Sequence, residues 1–166
     1  NGERFDKPGE KVSEDLELMI KGEKLPYVSR GGLKLARALD LFEISVSDQT
    51  AIDIGSSTGG FTDVMLQNGA KLVYAVDVGT NQLAWKIRQD DRVVVMEQFN
   101  FRYAKPEDFS YDLPTFASID VSFISLALIL PALYDILLED GQVVALIKPQ
   151  FEAGREQIGK NGIIKD

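Results

Sequence analysis

From Thr50 onward, short apolar runs alternate with helical segments, and this alternation constrains the fold more than any other feature of the sequence. Strands are expected at residues 50–54, 72–77, 92–97, 115–120 and 142–147, and helices at 60–68, 81–88 and 125–138. Gly69 and Gly141 stand where helices should stop. Strands apolar on both faces, joined by crossover helices, predict an α/β fold with a parallel sheet covered on both sides. Right-handed crossovers place every strand's carboxyl end on one edge, and open sheets of this kind bind ligands there. Ile54, Asp77, Glu97, Asp120 and Ile147 fall on that edge.

A glycine-rich turn, Asp53-Ile-Gly55-Ser-Ser-Thr-Gly59-Gly60-Phe61, joins the first strand to its helix. Such a turn lets a ligand approach bare backbone and the unpaired N–H groups of a helix start. The spacing is not the Gly-x-Gly-x-x-Gly of dinucleotide binders. Asp77 ends the next strand, where a carboxylate suits a ribose diol because it accepts two hydroxyl hydrogen bonds. Together they suggest a nucleoside-bearing cofactor that needs no pyrophosphate.

Composition narrows the chemistry. The 166 residues contain no cysteine, which rules out disulfides and thiolate metal sites and fits a cytoplasmic home. They contain no histidine either, which removes the commonest general base and most zinc sites, so no metal is expected. Proton transfer must rely on Lys, Asp, Glu, Tyr or water. No apolar run approaches the roughly 20 residues that span a bilayer. The net charge of -8 argues against a free-standing nucleic-acid binder. Residues 24–37 nevertheless carry Lys24, Arg30, Lys34 and Arg37 and no acid. That cluster reads either as a solvated helix start or as an anion-binding face.

Several side chains admit two readings. Asp120 is either a turn-capping aspartate or a carboxylate beside a reacting centre. Lys148 leaves a buried strand; it either snorkels to water or acts as a base. As a base it needs burial or a neighbouring cation to favour the free amine, and Lys34 is the candidate neighbour. Asn100 and Arg102 either read an adenine edge or belong to a plain loop. Phe61 either stacks on a ligand or packs in the core. Trp85 and the region of Phe42 read as core, and Glu152 is a weak site candidate. Ser29 is a candidate cap for a helix to about Phe42, with Leu33, Ala36 and Leu39 inward and Leu35 as a further inward candidate.

The first 23 residues are highly charged, include a short alternating strand near 15–20, and are too few for a core of their own. They read as the remnant of a preceding domain, with residues 24–29 as linker and 30–166 as the main domain.

Six segments carry a resemblance. Tyr27-Val-Ser-Arg-Gly-Gly-Leu-Lys34, Asp53 to Asp63, Val73-Tyr-Ala-Val-Asp77-Val-Gly79, Gln82-Leu-Ala-Trp85, Ile119-Asp-Val-Ser-Phe-Ile-Ser125 and Ala145-Leu-Ile-Lys148-Pro-Gln-Phe-Glu152-Ala-Gly154 resemble the TlyA (haemolysin A) family, whose methyltransferase domain is similar to the FtsJ ribose methyltransferases. The resemblance implies a Rossmann-like, S-adenosylmethionine-dependent methyltransferase fold and 2′-O-methylation of ribosomal RNA, with ribosomal subunits as partners. It implies that the first residues end a small ribosomal-protein-type RNA-binding domain. Family relatives use a Lys-Asp-Lys-Glu set; Lys34, Asp120 and Lys148 match the first three members. The fourth, like the family's last strands, is expected beyond residue 166, so the chain reads as a truncated enzyme. Cofactor contacts are implied at Asp53, Gly55, Ser57, Gly59, Gly60, Phe61, Asp77, Val78, Asn100 and Asp120. RNA contacts are implied at Arg30, Lys34 and Arg37. The alternatives are a non-catalytic RNA-binding or ribosome-assembly factor and a membrane-lytic haemolysin.

Overall fold

The computed structural model describes residues 25–152. The expected domain remnant at 1–23, its short strand and the segment after 152 lie outside the described residues. Five strands form one parallel sheet in the order β3-β2-β1-β4-β5: β1 (Thr50–Ile54), β2 (Leu72–Val76), β3 (Val93–Met96), β4 (Phe116–Ile119) and β5 (Gln142–Ala145). The helices are α1 (Gly31–Leu41), α2 (Gly60–Gln67), the single-turn α3 (Trp85–Arg88), α4 (Leu126–Ile136) and the short α5 (Pro149–Glu152). Each expected strand is present, and β1 begins and ends where the sequence places it.

The pleat sorts the strand residues between two cores. Ala51, Val73, Ala75 and Phe116 face a layer built from Leu35 and Leu39 of α1, Val64 and Met65 of α2, and Leu83 and Ile87 near α3. Ile52, Ile54, Tyr74, Val76 and Ile119 face the other way, against Phe101, Ile129, Leu133 and Ile136. Because β1 pairs with β2 on one side and β4 on the other, chain order reverses at β1. The crevice beyond the ends of β1 and β4 is thus the topological switch point, where open α/β sheets bind ligands.

Three local expectations need correction. Arg30, not Ser29, precedes α1, and no side chain caps that helix. Its inward face runs through Gly32, Leu35 and Leu39, leaving Leu33 exposed. Trp85 and Phe42, expected in the core, are 70% and 64% exposed: one begins a single-turn helix and the other follows the last turn of α1, so neither has a layer over it.

Residues Pro26 and Val28 are hydrogen-bonded to α2. The Val28 N–H donates to Asp63 Oδ2 at 2.9 Å, and Gln67 Nε2 donates to the Pro26 carbonyl at 2.9 Å. Both bonds tie the approach to α1 onto α2, so α1 starts beside the glycine turn.

Candidate functional site

The glycine turn leaves β1 by folding back on β2: the N–H groups of Gly55 and Ser56 both donate to the Val76 carbonyl, at 2.8 and 2.9 Å. Its glycines serve the protein's own packing. A Cβ on Gly55, which has φ +83°, would lie 2.1 Å from the Asp120 carbonyl oxygen, so only glycine lets the ends of β1 and β4 touch. A Cβ on Gly60 would lie 2.2 Å from Ser29 Oγ, so that glycine admits the start of α1. Gly59 turns its bare side toward Leu83. Gly55 lines the crevice, whereas Gly59 and Gly60 are buried among neighbouring chain segments.

Asp77 stands beside this turn. Its Oδ2 accepts the Ser57 N–H at 2.7 Å, and its Oδ1 accepts the Gly79 N–H at 2.8 Å. A carboxylate oxygen has two lone pairs, so each keeps one for a hydroxyl. Glu97, just past β3, pairs with Arg88 and accepts the Asn81 N–H, which fixes the loop after Asp77. The Arg88 bond, chiefly, holds the Glu97 carboxyl below the usual carboxylate range.

Next to Asp77 is a mainly apolar cavity of about 90 Å³. Ile54, Gly55, Val76, Asp77, Val78, Phe99, Asn100, Phe101, Val121, Ile124 and Ile129 line it. It is smaller than a whole-ligand pocket, which commonly measures roughly 300–1,000 Å³, and suits one flat ring of a larger molecule. Asn100 accepts the Arg102 N–H at 3.1 Å, leaving its side-chain amide NH₂ for a ligand. A larger hollow of about 550 Å³ lies near Asp48, Lys71, Asp112 and Leu138, at the opposite edge of the sheet. It meets none of the candidate side chains.

Asp120 and Lys148 meet at the end of β4. Lys148 Nζ lies 2.6 Å from Asp120 Oδ1 and donates to Ser122 Oγ at 3.2 Å. The two side chains form an ion pair at the crevice, which neutralises the Asp120 charge beside the end of β4. Lys34 is exposed on α1, with no ion pair or hydrogen bond among the described residues. The charged group touching Lys148 is therefore a carboxylate, not the expected cation. Arg30, Lys34 and Arg37 are all exposed at helical spacing along one side of α1.

Two expected cofactor contacts face elsewhere. Phe61 is buried in the core with Leu35 and Met65, as the inner side of a packed first turn. Asp53 is fully buried behind the turn, where Thr62 Oγ1 donates to it at 2.7 Å and Ser118 Oγ at 3.5 Å. Burial pushes its carboxyl up to about 7; the Asp120 charge adds to the rise, while the Thr62 and Ser118 bonds oppose it. Asp53 thus braces the turn from within.

Sequence reasoning missed the part played by Glu152. Its carboxylate reaches the start of α4, accepting Ser125 Oγ–H at 2.7 Å and the Leu126 N–H at 2.8 Å. The Leu126 bond first, and then the Ser125 bond, hold it below the usual carboxylate range. The Ser125-x-x position before an apolar run was the only local signal, and it names the helix start without its distant partner.

YqxC of Bacillus subtilis, a candidate rRNA methyltransferase by name, is 66% identical over 166 residues, covering 100% of this chain and 59% of the relative. The 16S/23S rRNA (cytidine-2′-O)-methyltransferase TlyA of Mycobacterium tuberculosis is 45% identical over 161 residues, covering 96% of this chain and 60% of its own length. A solved structure from Streptococcus thermophilus, described as a candidate hemolysin, superposes with a TM-score of 0.85 at 75% identity, over 100% of this chain and 60% of that one. The chain thus spans about three-fifths of the length of these relatives. The family model for FtsJ-like methyltransferases matches residues 27–166, and the chain belongs to that family.

Proposed function

We propose that this chain is the methyl-transferring part of an enzyme that methylates the ribose 2′-oxygen of ribosomal RNA, with S-adenosylmethionine as donor and the cytoplasm as its place of work. The observation that carries the reading is the Lys148–Asp120 pair, held at the same sheet edge as Asp77 and the apolar cavity. The cavity and the free lone pairs of Asp77 fit a nucleoside. The names of the relatives supply the RNA.

S-adenosylmethionine supplies an electrophilic methyl group on a sulfonium. Asp77 holds a ribose diol through the lone pairs that Ser57 and Gly79 leave free. Ile54, Val76, Phe99 and Phe101, which line the cavity, would hold an adenine, with the Asn100 amide at its edge. Gly55 and Val78 line the cavity on the side of the turn, and the Ser57 N–H holds Asp77 in place. Lys148 would steer the 2′-hydroxyl beside Asp120; the 2′-oxygen would take the methyl group as the sulfonium–methyl bond breaks, S-adenosylhomocysteine leaves and the hydroxyl proton passes to water. Asp120 fixes where the Lys148 side chain stands, and Ser122 sets its direction. Much of the acceleration is positioning, because a well-placed nucleophile removes a large entropic part of the barrier. Lys34 completes the set from α1, and Arg30, Lys34 and Arg37 receive RNA phosphates.

The word hemolysin among the relatives favours one other reading, a membrane-lytic protein. Among the described residues, no helix is long and apolar enough to cross a membrane. The test is transfer of a radiolabelled methyl group to ribosomal RNA by the full-length protein, followed by mapping of ribose methylation. Lys148→Ala is expected to abolish transfer while calorimetry shows unchanged cofactor affinity. Normal turnover by that variant would remove Lys148 from the mechanism.

A further inference from the structure

A lysine side chain is long, so the position of Nζ depends on how firmly its backbone is held. Beyond β5 the last ladder bond is Leu146 N–H to the Ile119 carbonyl, at 2.9 Å. Lys148 comes two residues later, on a segment that has left the sheet. What fixes that segment is a set of cross-links to the loop between β4 and α4, the loop that also carries Asp120. Lys148 itself reaches Asp120 and Ser122. The rings of Phe123 and Phe151 lie 5.2 Å apart. Glu152, at the end of α5, makes the two shortest hydrogen bonds across the gap, to Ser125 Oγ and Leu126 N.

We propose that Glu152 is a positioning residue: by fastening α5 to the start of α4, it holds the Lys148 ammonium on Asp120. The inference rests on the reading of Lys148 as the group that meets the 2′-hydroxyl. Two features separate this role from ordinary helix stabilisation. Ser125 caps α4 by its own bond from the Ala127 N–H, at 3.1 Å, so the helix keeps a cap without Glu152. The cofactor side of the crevice, at Asp77 and the apolar cavity, does not involve Glu152. Losing the fastening therefore displaces the lysine's segment while the fold and the nucleoside side remain.

The magnitude follows from geometry. A displacement of about 1 Å of a reacting group costs up to roughly 100-fold in rate. In the full-length protein, Glu152→Ala is expected to lower kcat by about 10- to 100-fold, with KM for the cofactor within about twofold. Glu152→Gln keeps an oxygen for the Leu126 N–H and an NH₂ group able to donate to Ser125 Oγ, and is expected to recover most of the loss. A second readout is independent of turnover. The Lys148 Nζ resonance, assigned by its disappearance in Lys148→Ala, is expected to shift or broaden in Glu152→Ala and to return toward its original position in Glu152→Gln. An unchanged kcat together with an unchanged Nζ resonance in Glu152→Ala would overturn the inference. So would equal losses in the Ala and Gln variants, or a loss that tracks cofactor affinity. If the unaltered protein transfers no methyl group, the reading of function fails, and the Nζ resonance alone decides whether Glu152 holds the pair.

Discussion

Asp53→Asn isolates the most strongly shifted carboxyl among the described residues. Asp53 is fully buried, and its carboxyl is pushed from an ordinary 3.8 up to about 7. The native state therefore keeps its proton until near pH 7, whereas the unfolded chain releases it near pH 4. Between those values the native state binds more protons, so stability falls as pH rises, by about 1.4 kcal/mol per pH unit. The contribution is fully present below pH 4 and fully lost above pH 7. Over the whole window it is on the order of 4 kcal/mol, and between pH 5 and pH 7 about 2 kcal/mol. Asparagine keeps an acceptor for Thr62 and has no proton to lose. Urea unfolding of both proteins at half-unit steps from pH 5 to pH 8 gives the test, because other groups cancel in the difference. The variant is expected to gain about 2 kcal/mol on the unaltered protein between pH 5 and 7, with a plateau above. Parallel stability curves across that range would refute the reasoning.

Other predictions address the two sides of the crevice. Asp77→Ala removes the acceptor assigned to the ribose, and charge-assisted hydrogen bonds of that kind are worth roughly 1.5–3 kcal/mol, so cofactor affinity by calorimetry is expected to fall about 10- to 100-fold. Unchanged affinity would refute the ribose assignment. The paired change of Arg30 and Arg37 to alanine is expected to weaken RNA binding and to reduce the slope of log affinity against log salt by roughly 1.4–1.8, with cofactor affinity unaltered. An unaltered slope would return the α1 cluster to a solvated face.

Strands β1, β2 and β4 were legible because both of their faces are buried, which gives continuous apolar runs, while β3 is half-buried and β5 begins with two exposed residues. The same pattern placed Asp77, Asp120 and Lys148 near one edge, as carboxyl-terminal residues of parallel strands. What local spacing left hidden was set by distant partners. The roles of Gly55 and Gly60 depend on Asp120 and Ser29, which approach only after folding. Leu33 and Leu35 are both leucines on one helix, and contact with α2 decides which is buried. Phe61 and Asp53 sit within the conspicuous glycine motif, yet both turn inward. Glu152 acquires its role from a helix start 26 residues earlier in the chain.

The central claim is that the nucleoside of the donor lies between Asp77 and the apolar cavity, with its reactive end toward Lys148 and Asp120. A crystal structure of the full-length protein bound to S-adenosylmethionine measures this directly. The account predicts ribose hydroxyls on Asp77, adenine against Phe99 and Phe101, and the methyl group facing the Lys148–Asp120 pair. Cofactor bound at the opposite edge, near Lys71 and Asp112, or bound with its methyl turned away from Lys148, would contradict it.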